Sequence, residues 1–141
     1  MDTASRRFLA PLDGQGGALG VVAVGGALGA LARHGVGVAV PSAPGAIPWS
    51  TFAVNVTGCL LIGALVVVVT EWRPAHPLLR PFLGTGVLGG YTTFSTYSVE
   101  VLQLAQAGHR AAAGGYLVGT LVAAVAATWL GARLARAVPR R

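Results

Sequence analysis

Lysine is absent from this sequence and acid is scarce. Asp2, Asp13, Glu71 and Glu100 are its four carboxylates over 141 positions. Charged residues make up 10% of the chain, against about 25% in soluble domains. That shortage excludes an ordinary water-facing surface. Cys59 is the one cysteine, so no disulfide can form within the chain. In an apolar stretch it reads as a small packing residue rather than a redox or metal site. No nucleotide-binding motif is visible, and no pair of acids lies inside an apolar run. Neither nucleotide hydrolysis nor carboxylate-borne proton coupling is therefore expected. No secretory signal stands out, because Arg6 and Arg7 precede a long Gly/Ala/Val stretch without a clear cleavage site.

What is present is apolar. Hydrophobic residues account for 54% of the chain, and the mean hydropathy is +0.68. The length suits one domain, and the composition makes lipid its solvent. A spanning helix needs about 20 apolar residues, and four segments qualify, at about 18–40, 51–70, 82–105 and 111–130. The expected fold is an all-α integral membrane domain over residues 16–136. A flexible polar tail is expected over 1–15 and a basic tail over 137–141. Pro41, Pro44 and Pro48 punctuate the first loop, ahead of Trp49 as an interfacial anchor. Trp72, Pro74, Pro77 and Pro81 mark the second loop. Gly108-His109-Arg110 joins the last two spans in a tight hairpin.

All ten basic residues are arginine and the formal net charge is +6. In a soluble chain that balance would suggest nucleic acid. Here the arginines flank apolar segments, so topology and lipid headgroups account for them and no nucleic acid partner is expected. With four spans, one side holds Arg6, Arg7, Arg73, Arg80, Arg133, Arg136, Arg140 and Arg141, and the other holds Arg110. The positive-inside rule then puts both termini in the cytoplasm.

Glycines recur four apart at Gly16/Gly20, Gly25/Gly29, Gly86/Gly90 and Gly115/Gly119. In lipid, such small-residue faces let helices approach closely. They serve either packing within one bundle or a contact between subunits.

Three polar features interrupt the apolar runs. Arg33 lies deep in the first span, where a charge either snorkels to the interface or faces protein or water. Asn55 lies in the second span, where its amide needs partners. It serves either a helix–helix hydrogen bond or an anion path. Residues 84–98 carry adjacent glycines and a Thr/Ser run, which make poor helix in mid-span. A break there frees carbonyls that can coordinate a cation, provided the backbone is buried or lines a cavity. Phe94 and Tyr97 share a helix face. Their ring edges can line an anion path, although two aromatics at this spacing are more often packing. Tyr116 and Thr120 are four apart in the last span. Glu100, close to the end of the third, reads as a solvated or capping acid.

Three stretches then resemble one family. Residues 25–33, Gly-Gly-Ala-Leu-Gly-Ala-Leu-Ala-Arg, are similar to the first helix of the Fluc/CrcB fluoride channels. Asn55-Val56-Thr57-Gly58 resembles their second-helix Asn-x-x-Gly. Gly89-Gly90-Tyr91-Thr92-Thr93-Phe94-Ser95-Thr96-Tyr97-Ser98-Val99-Glu100 closely resembles their third-helix signature. The resemblance implies an antiparallel dimer of four-helix subunits, with the third helix broken near its middle, in the bacterial cell membrane. It implies passive fluoride export and a structural sodium ion held by the backbone carbonyls of Gly89 and Thr92. It places Asn55, Phe94, Tyr97, Thr93, Ser95, Tyr116 and Thr120 on the fluoride pore, with Arg33 and Glu100 in vestibule or structural roles. The partner would be a second subunit of the same type, identical or a paralogue. Tyr97 departs from the phenylalanine usual at the second ring. Selectivity would come from narrowness and donor geometry. A four-helix drug/proton antiporter and a non-transporting structural subunit are the other readings. The first needs a carboxylate in the membrane centre, which the first span lacks, and the second leaves the third-helix signature unexplained.

Overall fold

The computed structural model describes residues 16–43, 45–72 and 76–139. The tail expected over 1–15 and the last two residues of the basic tail lie outside them. Helix α1 is Gly16–Ala39, and Pro41 follows its end. Helix α2 starts behind Pro48, spans Trp49–Val67 and continues as a wider π turn over Val68–Trp72. The Thr70 hydroxyl bonds back to the Val66 carbonyl at 2.6 Å in that turn. Helix α3 carries Pro81 in its first turn, where a missing N–H costs nothing. It is π-wound over Pro81–Leu88 and closes with Gly89–Tyr91.

The chain then leaves the helix for two residues. Thr92 (φ −76°, ψ 156°) and Thr93 (φ −147°, ψ 121°) are extended. Helix α4 restarts at Phe94 and runs over Phe94–Gln106. Thr93 caps it, its Oγ1 accepting from the Thr96 N–H at 3.2 Å, the usual service of an N-cap threonine. Gly108, at φ +88°, turns the chain in a conformation that favours glycine. Helix α5 follows over Arg110–Ala137, extending past the limit expected near residue 130.

Gly16–Ala39, Trp49–Trp72 and Arg110–Ala137 are long and apolar enough to cross a membrane. At 13 residues, α4 is too short to cross a core about 30 Å thick at about 1.5 Å rise per residue. The segment expected as the third span is two helices, α3 and α4, divided at the two threonines.

Packing rests on glycine. A Cβ at Gly25 would lie 2.6 Å from the Phe82 carbonyl oxygen, and one at Gly29 would collide with the Val87 carbonyl. From the facing helix, a Cβ at Gly90 would collide with the Gly26 carbonyl. Helices α1 and α3 therefore meet backbone on backbone. The seam between α2 and α5 follows the same rule at Gly63, against the Thr128 carbonyl, and at Gly131, against the Leu60 carbonyl. Two of the four expected glycine pairs, Gly25/Gly29 and Gly86/Gly90, thus pack within the chain. Gly16, Gly20, Gly115 and Gly119 face open space. Buried side chains are few: Tyr97, Leu104, Ala113 and Tyr116 form one cluster, and Val54 and Val67 are buried elsewhere on α2. Leu31, Val38, Val122, Val125 and Trp129 point outward, an apolar surface suited to lipid.

Candidate functional site

The break between α3 and α4 organises the site. Leaving helical geometry strips the backbone around Thr93 of its partners, and α2 supplies them. The Thr93 N–H donates to Asn55 Oδ1 at 2.9 Å, and Asn55 Nδ2 donates to the Thr93 carbonyl at 3.0 Å. One amide thus satisfies both backbone groups of the extended residue. Asn55 is buried, where unpaired backbone would cost about 1–3 kcal/mol per group. Of the two roles open to it from sequence, the structure displays the helix–helix bond. One Nδ2 proton remains beyond that pair.

This clamp has a consequence for the carbonyls. In an unbroken helix Gly89 O would accept from Thr93 N–H and Thr92 O from Thr96 N–H. Those two amides instead serve Asn55 Oδ1 and Thr93 Oγ1. Gly89 and Thr92 therefore keep carbonyls without their i+4 donors, a donor set suited to a hard cation.

Further hydroxyls gather around the cap. Thr93 Oγ1 donates to Thr96 Oγ1 at 2.9 Å and lies 3.4 Å from Ser95 Oγ. Beyond the cap the two aromatics diverge. Their ring centroids are 5.8 Å apart, yet Phe94 is 74% exposed and Tyr97 only 2%. The Tyr97 hydroxyl donates to the Leu117 carbonyl at 2.6 Å, and its ring meets Tyr116 edge-on at 5.4 Å.

Glu100 does not cap a helix end. Both its oxygens accept hydroxyls, from Thr51 and from Tyr116, each at 2.8 Å. The acid thereby ties α2, α4 and α5 together inside the bundle. Thr51 was not singled out from sequence, although its place one turn before Asn55 puts both on the same face of α2.

Two cavities flank this arrangement. The larger, about 400 Å³, is lined by Arg33, His34, Ser50, Thr51, Thr93 and Glu100, among others. Arg33 and Glu100 share it without an ion pair among the described residues, and Arg33 Nε is buried with no hydrogen-bond partner there. The smaller, about 180 Å³, is lined by Asn55, Cys59, Thr92, Thr93, Phe94, Tyr97 and Thr120, with Leu121 and Ala124 completing a mostly apolar wall. Thr93 lines both cavities. The Thr120 hydroxyl is buried and has no partner among the described residues. The break thus brings together every residue expected of the site except Tyr116 and Gly89. Tyr116 reaches it through Glu100 and Tyr97, and Gly89 lies one turn upstream.

Long apolar helices joined by backbone-tight glycine seams, with polar side chains gathered at an interrupted helix, define a helical membrane protein. Comparison with known proteins narrows the class. The family described as CrcB-like protein, camphor resistance (CrcB), matches residues 20–132. A fluoride-specific ion channel FluC 2 of Nocardia farcinica is 52% identical over 115 residues, covering 82% of each chain. A fluoride-specific ion channel FluC 1 of Streptomyces coelicolor is 52% identical over 118 residues, 84% of this chain and 77% of the relative. A fluoride-specific ion channel FluC of Acidobacterium capsulatum is 46% identical over 111 residues, 78% of this chain and 89% of the relative. The chain belongs to the CrcB family.

Proposed function

We propose that this chain is a subunit of a passive fluoride channel of the cell membrane rather than an enzyme. The observation that carries the reading is the clamped break: two cavities share Thr93 as a wall residue, and the Asn55 amide lies beside it. A small, strongly hydrated anion must exchange its water for donors. The Asn55 proton left free, the hydroxyls of Ser95 and Thr120, and the ring edges of Phe94 and Tyr97 supply them. Arg33 gives the larger cavity the positive charge that would draw an anion in. The naming of close relatives as fluoride-specific channels supports fluoride as that anion.

In this reading α3 and α4 together make the third of four spans. The exposed Phe94 faces a second subunit in antiparallel orientation, identical or a paralogue. The carbonyls of Gly89 and Thr92 would hold a structural sodium ion, whose charge replaces the amide donors they have lost. Eight arginines lie on the side of both termini against Arg110 on the other, which supports cytoplasmic termini. The same imbalance supports pairing with a paralogue of opposite bias.

Efflux from liposomes carrying the purified chain tests the function. Fluoride is released and chloride retained. Retention of both ions, or release of both, would overturn it.

A further inference from the structure

Cys59 stands one turn beyond Asn55 on α2. Sequence gives it a packing role, yet it is only partly buried and it lines the smaller cavity with Asn55, Thr93, Phe94 and Thr120. Most polar groups around that cavity are already engaged. The Tyr97 hydroxyl serves Leu117, and Asn55 is paired with the Thr93 backbone. The Thr120 hydroxyl is not engaged. Its residue is 3% exposed, the oxygen has no partner among the described residues, and an unengaged hydroxyl among the lining residues is a partner available to an occupant of the cavity. The volume of about 180 Å³ leaves room for one, since a water takes about 30 Å³ in the liquid. The groups left to meet that occupant are the Thr120 hydroxyl, the spare Asn55 proton, the Phe94 ring edge and the Cys59 thiol.

We propose that Cys59 is a wall residue of the ion path, so that bulk added to its sulfur closes the path. The proposal rests on the channel reading. The thiol is a weak donor, so its contribution is chiefly the width of the cavity beside Thr120. Methyl methanethiosulfonate probes it directly. The Cys59 sulfur attacks the sulfenyl sulfur, a disulfide to an S-methyl group forms, and the S–SO₂ bond breaks. Methanesulfinate leaves and the thiol proton passes to water. With one cysteine in the chain, the adduct is unique.

Two readouts are taken on the full chain in liposomes: fluoride efflux, and the rate at which the S-methyl adduct appears by mass spectrometry. In the wild type, labelling abolishes efflux and dithiothreitol restores it. Cys59→Ser conducts at a rate of its own, and the reagent leaves that rate unchanged. Fluoride, unlike chloride, slows the labelling of the wild type. Full labelling with undiminished efflux would overturn the proposal, as would a thiol that never labels or a Cys59→Ser channel that the reagent still blocks. A chain that releases no fluoride, yet whose labelling fluoride slows, would instead overturn the channel reading and keep the cavity as an anion site.

Discussion

Two kinds of seam hold this bundle. Between α1 and α3, and between α2 and α5, glycines let backbone touch backbone. Where α4 meets α2 and α5, hydrogen bonds join the helices beside the apolar cluster of Leu104 and Ala113: Asn55 to Thr93, Thr51 and Tyr116 to Glu100, and Tyr97 to Leu117. None of the seam glycines lines either cavity. The polar seam carries both cavities, because hydrogen bonds set distances between helices without filling the gaps around them. In a membrane this division has a physical cause. Apolar burial cannot drive helices together in lipid, so close approach and hydrogen bonding must. Close approach makes a rigid frame, and hydrogen bonding makes a site.

The largest effect is expected at the frame. Gly29→Leu places a side chain on the Val87 carbonyl, and backbone cannot swing aside as a side chain can. Overpacking usually costs about 1–3 kcal/mol, and this substitution should reach the top of that range or beyond. Purified protein should fall sharply in yield and lose its cooperative melt in detergent. Gly119→Ala, which meets open space, should melt within about 0.5 kcal/mol of wild type as surface changes do. Equal behaviour of the two variants would break the distinction between seam and surface glycines.

Much of this division was legible in the sequence. The spacing of Gly25/Gly29 and Gly86/Gly90 announced close approach, and the Thr/Ser run after Gly90 announced an interrupted helix. Spacing alone did not tell a pair facing a partner helix from one facing outward, as Gly115/Gly119 does, because both read as small-xxx-small. Gly63 and Gly131 escaped notice because each helix contributes a single glycine to the crossing. Glycine was also expected to weaken the helix at the break, yet Gly89 and Gly90 are helical and the break falls on Thr92 and Thr93. Gly90 is there for α1 instead. Glu100 was read from its distance to the chain turn, whereas its role depends on Thr51, 49 residues away, a separation that no local pattern encodes.

The polar seam should respond next. Asn55→Asp keeps an acceptor for the Thr93 N–H but sets a carboxylate oxygen against the Thr93 carbonyl, where Nδ2 now donates. It also places negative charge beside the smaller cavity. Asn55→Ser loses reach but adds no repulsion. Efflux should therefore be lost in the aspartate variant and retained in part in the serine variant. Wild-type efflux through a folded Asn55→Asp channel would remove Asn55 from the path. Glu100→Ala should have a smaller effect. It leaves the Thr51 and Tyr116 hydroxyls buried without their acceptor, at about 1–3 kcal/mol for each unsatisfied group, and should lower the melting temperature accordingly. An unchanged melt would show that those hydroxyls find other partners.

Tyr97→Phe should have the smallest effect, and it sharpens the comparison most. The ring stays, so the contacts with Phe94 and Tyr116 persist. Only the bond to the Leu117 carbonyl goes. That carbonyl lies within α5 and keeps its place in the helical ladder, so no backbone group is orphaned. The loss should be that of one ordinary hydrogen bond, about 0.5–1.5 kcal/mol. Because the Tyr97 hydroxyl already points at α5 backbone, its removal also leaves the donors of the smaller cavity as they were. Fluoride efflux should thus stay close to wild type while the melt drops slightly. Loss of efflux with an unchanged melt would show that this hydroxyl turns from Leu117 toward the ion, and that the polar seam is a moving part of the path rather than its fixed wall.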